Sequence, residues 1–401
     1  MRSRWAEGRA LGGGVVGRRR GAAEAAVVAV VGAMGWVTAC GSEPVGSAPS
    51  AGAGGASDAG WGEGGAAGSG SGSGSGGGCE ETLLGCPPEP PPPAFGETET
   101  VVAFSKLHLG LAHRSGEYGP TTAWGEYGFD LDGLISASTD TNHCRLRENA
   151  LPAAVQRDAP GGIDNGFGAN LVPLLLSVFP DPQGAVDRAI DEGRSTMLLR
   201  FANLGDPTVD QSGVTTLVYR AADRGAPPAW TGADVWPVAW ESVQGGDVGR
   251  PLAPFPGGLL VGGALAARGS AVELVLDLGG ARLVLPLKHA VLALEVAGTG
   301  ADAVVSAGNL GGVVETEQLV QAARAAFAAV LPEACDEAEW SWIEEQLRGA
   351  SDLRADGTNG DPTKDCDAVS VGLGFEARAA RLGAVAPPAV AAGPPCDAAA
   401  P

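Results

Sequence analysis

The sequence predicts a mainly β domain of the α+β class, an antiparallel sandwich or jelly-roll-like fold with two C-terminal helices packed on the sheet. Three observations carry this reading. Short apolar runs with period-two alternation recur from residue 98 onward, glycine or asparagine turns separate many of them, and long helical apolar stripes occur only near the C-terminal end. The runs are TVVAFSKLHL (100–109), TMLLRFANL (196–204), VTTLVYRA (214–221), AVELVLDL (271–278), RLVLPL (282–287), HAVLALEVAG (289–298) and ADAVVSAG (301–308). In the fourth, Val272, Leu274 and Leu276 alternate with Glu273, Val275 and Asp277, which places the first set on one face of a strand. Gly279 and Gly280, between that run and the next, predict a hairpin. Residues 183–193, QGAVDRAIDEG, predict one short helix with Val186 and Ile190 on a shared face.

The C-terminal pattern is helical. In ETEQLVQAARAAFAAVL, Leu319, Val320, Ala323, Phe327, Val330 and Leu331 recur at three and four residues, and Pro332 ends the run. In CDEAEWSWIEEQLRG, Trp340, Ile343 and Leu347 align, acids fill the first turn and Gly349 follows the last. A loop, SDLRADGTNGDPTKDCD, then leads to the strand AVSVGLGFEA, so the two helices are expected to cover one face of the sheet and close a single domain over residues 98–382, followed by an Ala/Pro-rich tail at 383–401.

The first 97 residues read differently. Arg2, Arg4, Arg9, Arg18, Arg19 and Arg20 precede an apolar run at 25–37, too short for a membrane span of about 20 residues, and small residues lead into Cys40. This is the layout of an export signal over residues 1–39, and VTAC resembles a bacterial lipobox, in which the cysteine thiol takes a diacylglycerol and becomes the new N-terminus. The other reading is a short anchor helix with an incidental cysteine. Gly41 rather than aspartate after the cysteine implies, by the same resemblance, an outer-membrane address. Residues 43–78 contain almost nothing to bury, and PPEPPPP at 87–93 is a stiff spacer, so residues 40–97 are expected to be a lipidated, flexible tether. The formal charge is −21, and removal of six arginines with Glu7 and Glu24 takes it to −25. Such a surface repels phosphate backbones and attracts cations, which argues against a nucleic-acid partner.

Seven cysteines leave six once Cys40 is set aside: Cys79, Cys86, Cys144, Cys335, Cys366 and Cys396. An even number in an exported chain reads as a set of disulfides. Proximity favours Cys79 with Cys86, and the helical region favours Cys335 with Cys366. A zinc site is the alternative, but the chain has no CxxC pair and its four histidines are scattered.

The segments YGFDLDG (127–133), GGIDNGFG (161–168), ASDLRADGTNGDPTKDCD (350–367) and AVSVGLGFEA (368–377) resemble secreted lipoproteins of myxobacteria and related bacteria, over roughly residues 98–382. The resemblance implies the exported address and a single domain that includes both helices with Cys335 and Cys366. It implies no activity.

Three constellations are candidate sites. In an extended FDLDG, Asp130 and Asp132 point to one side, and Asp164 with Asn165 in a glycine-rich loop would add hard oxygen ligands, with Asp140 or Asn142 nearby in sequence. Such a set suits Ca2+. The alternative is that these are turn residues whose carboxylates cap local amides. The loop with Asp356, Asn359, Asp361, Asp365 and Asp367 has the composition of a calcium loop without its spacing, and reads as a structured turn held by Cys366. Trp230, Trp236 and Trp240 would suit stacking on sugar rings, or would plug the space under a long loop. No GxSxG, HExxH or phosphate-binding loop is present, so no catalytic residue is nominated. The expected role is a lipid-anchored envelope protein, a non-catalytic binding or structural domain that meets a glycan or an envelope protein. The alternative is a surface hydrolase whose site leaves no sequence signature.

Overall fold

The computed structural model describes residues 99–148, 150, 152–389 and 396. Cys40, the glycine-serine tether, Cys79 and Cys86 lie outside the described residues. In chain order the strands are β1 (Thr100–His108), β2 (Met197–Ala202), β3 (Gln211–Arg220), β4 (Val235–Val238), β5 (Ala253–Val261), β6 (Ala264–Arg268), β7 (Ala271–Asp277), β8 (Arg282–Ala297), β9 (Val304–Glu315), β10 (Ala368–Ala379) and β11 (Arg381–Val385). The longer helices are α1 (Val172–Val178), α2 (Pro182–Asp191), α3 (Thr316–Ala328) and α4 (Glu337–Gly349). The mainly β, α+β architecture is as expected.

Nine strands form one antiparallel sheet in the order β6-β5-β3-β2-β1-β10-β9-β8-β7. β6 pairs with β5 on one edge and with β8 on the other, so the sheet curls round and closes on itself. Closure depends on β8. The two runs read separately at 282–287 and 289–298 form one strand kinked at His289, which has a φ of 49°. Its first half pairs with β7, from Asp277↔Arg282 to Ala271↔Lys288, and its second half pairs with β6, from Arg268↔Val291 to Ala264↔Glu295. The alternating apolar residues then fill the enclosed space, where Phe104 and Phe375 stack at 4.0 Å with their planes 9° apart.

The two C-terminal helices pack as their periodicity predicts. α3 buries Leu319, Val320, Ala323 and Phe327, and Phe327 meets Trp340 of α4 edge-on at 6.0 Å and Phe179 at 5.7 Å. Asp336 caps α4, its carboxylate accepting from the N–H of Ala338. α1, and the π-helical turn Phe167–Leu171 that precedes it, carried no sequence signal recognised above.

β10 is buried on both faces. Val369, Val371, Leu373 and Phe375 face the main core, whereas Ser370, Gly372 and Gly374 face the segment that follows β1. A side chain at Gly372 would run into the carbonyl of Tyr127, and one at Gly374 into the Tyr127 ring. The glycine spacing in AVSVGLGFEA thus makes a smooth seat for the loops that carry the acidic cluster.

Three expectations need correction. Cys366 bonds to Cys144, not to Cys335, and Cys335 bonds to Cys396, with Cα atoms 5.1 and 5.2 Å apart. The reason is topological: the 140–147 segment runs beside the 364–366 segment, with Arg145 N–H donating to Lys364 O and Cys366 N–H to Arg145 O. Second, pairing extends past residue 382: β11 runs to Val385 in a parallel pair with β4, and Cys396 is bonded to Cys335. Third, Trp236 is fully buried on the outer face of β1–β3, in a second core with Ala103, Leu198, Leu217 and Tyr219, so it plugs the space under β4 and has no face free for a ligand. Trp230 is half-buried, 6.1 Å from Trp236, and Trp240, although 40% exposed, lies against Gly246. The three do not form a shared stacking surface.

Candidate cation site

Asp130, Asp132 and Asp164 come together. One carboxylate oxygen from each lies within 4.8 Å of the others. They arrive from the two loops quoted above, zipped by an isolated bridge between Phe129 and Asp164, in which the N–H of Asp164 donates to Phe129 O at 2.9 Å. The N–H of Leu131 returns to Asp164 Oδ2 at 2.7 Å. Gly133, with a φ of 77°, makes the turn that brings Asp130 and Asp132 back towards each other, its N–H donating to Asp130 Oδ1.

The three differ in exposure: Asp130 is exposed, Asp132 half-buried and Asp164 buried. Burial first, and then the charges of Asp132 and Asp352, push the Asp164 carboxyl up to about 9. Burial also raises Asp132, helped by the Asp130 charge. Asp158 is pushed up to about 6 by burial and by Asp132, and buried Asp352 up to about 7 by burial above all. The group is thus a set of carboxylates repelling one another.

Two atoms beside these carboxylates lack hydrogen-bond partners. Asp132 Oδ1 accepts from the N–H of Leu134 at 2.7 Å, but its Oδ2 is buried without a partner. His143, 3% exposed, receives a bond at Nδ1 from Asn359 Nδ2 at 3.2 Å, and its Nε2 is unpartnered. Asn359 is oriented by the N–H of Cys144, which donates to its Oδ1, so its NH2 faces His143. A neutral imidazole that accepts at Nδ1 has its N–H at Nε2, so His143 offers no free lone pair to a cation and is not counted among the ligands. The buried, unsatisfied carboxylate oxygen of Asp132 fits a bound cation, and all-oxygen donors favour a hard ion such as Ca2+.

Asn165, named as a ligand from sequence, does not belong to the oxygen set. Its NH2 lies within hydrogen-bond distance of three carbonyls, Trp124, Tyr127 and Gly372, at 2.9–3.0 Å, and its Oδ1 accepts from the N–H of Gly168 and of Gly372. It locks the acidic loop to β10. Asp140 caps its own turn through the N–H of Ala137. In the 356–367 loop, Asp356 and Asp361 hold Asx turns with Thr358 and Thr363, Asp365 pairs with Arg145, and Asp367 accepts from the N–H of Ala355. That loop is a structured turn beside Cys366, and only Asn359 reaches the acidic cluster.

Sequence reasoning missed Asp158, Asp352 and His143. Asp352 sits below the cluster and accepts from the N–H and hydroxyl of Ser370 on β10. Together with Asp158, Asp164 and Asn359 it lines a cavity of about 10 Å3, room for about one water-sized particle and not for an organic substrate. No local pattern marks these residues: Asp158 accepts from Ser136, 22 positions away, Asp352 from Ser370, 18 away, and His143 meets Asn359, 216 away. The chain matches no family model, no curated protein and no solved structure.

Proposed function

We propose that this chain is exported, held on the outer membrane through lipid on Cys40, and serves as a non-catalytic binding or structural domain of the cell envelope whose outer loops are fastened by Ca2+. The observation that supports the fastening is the convergence of Asp130, Asp132 and Asp164 within 4.8 Å. Three carboxylates so close are unfavourable unless protonated or neutralised, and the strongest charges acting on Asp164 are themselves acidic. A divalent ion removes the repulsion, satisfies Asp132 Oδ2 and joins the 130–132 loop to the 164 loop. The export reading rests on residues 1–40 and agrees with a domain closed by disulfides. Among the described residues no helix is long and apolar enough to cross a membrane.

Calcium is expected to raise the melting temperature of the mature chain by about 5–10 °C relative to chelator, the shift for an ion present at about a hundred times its dissociation constant. Asp132→Asn is expected to abolish most of that shift while leaving the chelated protein folded. A calcium shift that persists unchanged in Asp132→Asn, or no shift in the wild type, rules out this site. Cys40→Ser should move the protein from the membrane to the soluble fraction, a result independent of the cation.

The pH dependence has a defined sign. Asp164 has an ordinary value of 3.8 and a folded value of about 9, so between those limits the folded state holds a proton that the unfolded state has lost. That contribution to stability is complete below about pH 4 and disappears as pH climbs through about 9. Asp352 and Asp158, at about 7 and about 6, act in the same direction over narrower windows. In chelator the protein is expected to melt several degrees lower at about pH 8.5 than at about pH 5.5. Saturating calcium should flatten or reverse the trend, because the ion binds the deprotonated carboxylates. Thermal melts at the two pH values, with and without calcium, check both halves.

A further inference from the structure

A second feature of the fold has no part in the cation site. The ring of strands is closed by backbone pairing where β6 meets β8, but its other end is not. β7 pairs with β8 alone, and β3 runs two residues past its last pair with β5, Val218↔Ala253. Between β3 and β7 the link is ionic: Arg220 on β3 pairs with Glu273 on β7 and with Glu241. A cavity of about 270 Å3 opens at this seam. Its floor is apolar, with Met197, Val218, Val272 and Leu287 reaching it from four strands.

From this geometry we infer that the seam is a binding site for an uncharged, largely apolar small molecule that carries one O–H or N–H donor. The volume is near the lower end of small-ligand sites. The charge requirement comes from the rim. Arg220 is neutralised by Glu241 and Glu273, Lys288 by Glu315, and Glu241 also accepts from the N–H of Ala389. These are three carboxylates against two cations, so an anionic ligand would add to an existing excess of negative charge. The donor requirement comes from Gln318 in the first turn of α3, which lines the cavity and whose Oε1 has no hydrogen-bond partner. The terminal torsion of glutamine is broad, so a small rotation presents that oxygen to the cavity.

The test is calorimetric titration of the mature chain, with Cys40→Ser to keep it free of lipid and detergent. The probes are 1-heptanol, its methyl ether, and octanoate. Heptanol is expected to bind saturably at one site, the ether about tenfold more weakly because it lacks the donor, and octanoate at least as weakly as the ether. Leu252→Trp, at an exposed rim position, should block all three. Gln318→Leu should leave the ether unchanged and bring heptanol down to it. Absence of saturable heptanol binding, or binding indifferent to Leu252→Trp, overturns the site. Octanoate binding as tightly as heptanol, or an alcohol preference that survives Gln318→Leu, overturns the ligand class. Neither result bears on calcium, whose residues lie elsewhere.

Discussion

Asn165→Asp is expected to destabilise the domain by about 3–5 kcal/mol and lower its melting temperature by about 10 °C at neutral pH. The substitution changes one NH2 group into an oxygen, and the cost comes from what that group faces. The Asn165 NH2 is turned towards the carbonyl oxygens of Trp124, Tyr127 and Gly372, which span the loop after β1 and the middle of β10. An aspartate oxygen in its place would oppose three acceptors in a site 2% exposed to solvent, leaving carbonyls unsatisfied and a charge buried. Although the other oxygen would still accept from the N–H groups of Gly168 and Gly372, burial and the three facing carbonyls would make the carboxyl hold its proton to unusually high pH, so the deficit would shrink in acid. Asn165→Leu, which removes the bonds without adding charge, should cost less at neutral pH and show no recovery in acid. Melts of both variants across pH separate the two effects. An aspartate variant melting within about 2 °C of wild type would falsify the view that this amide holds the acidic loops on β10.

Replacing Cys144 and Cys366 together by serine is expected to cost about 2–5 kcal/mol and to weaken calcium binding at least tenfold. The bond joins positions 222 residues apart, and cross-linking so long a loop removes a large number of unfolded conformations, about 5 kcal/mol in the chain-entropy account. The effect on the cation follows from position. Cys144 adjoins His143, and its N–H orients Asn359, whose NH2 in turn meets His143 beside Asp132. Without the bridge the end of the 130–144 loop is held by backbone bonds of Arg145 and the Arg145–Asp365 pair, which is exposed and contributes little. Denaturant melts and calcium titrations of the double variant read the two expectations separately. Removing the Cys335–Cys396 bridge should instead leave calcium affinity unchanged, because it ties the C-terminal segment to the turn after α3.

Much of the fold was legible because its signals are local. Val272, Leu274 and Leu276 alternate in sequence and are buried in β7, and Trp340, Ile343 and Leu347 recur at helical spacing and are buried in α4. β5 escaped notice because Pro254, Pro256 and two glycines interrupt its alternation. The first part of β5 pairs with β3 but has no β6 partner, so an N–H missing on the β6 side breaks no ladder. The kink at His289 was hidden for the opposite reason: both halves of β8 looked like complete strands. Trp236 is the instructive failure among the site residues, since a tryptophan among prolines and glycines reads equally as a binding platform or a plug, and only its neighbours Leu198, Leu217 and Tyr219 decide for the plug.

The amino-acid order alone determined the mainly β class, the two closing helices and the acidic pair at Asp130 and Asp132, because each is written in neighbours within a few residues. Tertiary structure alone decided how the ring closes, which cysteines meet, that Asp158, Asp352 and His143 join the acidic cluster, and that Asn165 locks the loop instead of ligating. Those outcomes depend on strand register and on contacts between residues from 18 to 222 positions apart, which the three-dimensional arrangement of the sheet creates and no short stretch of chain contains.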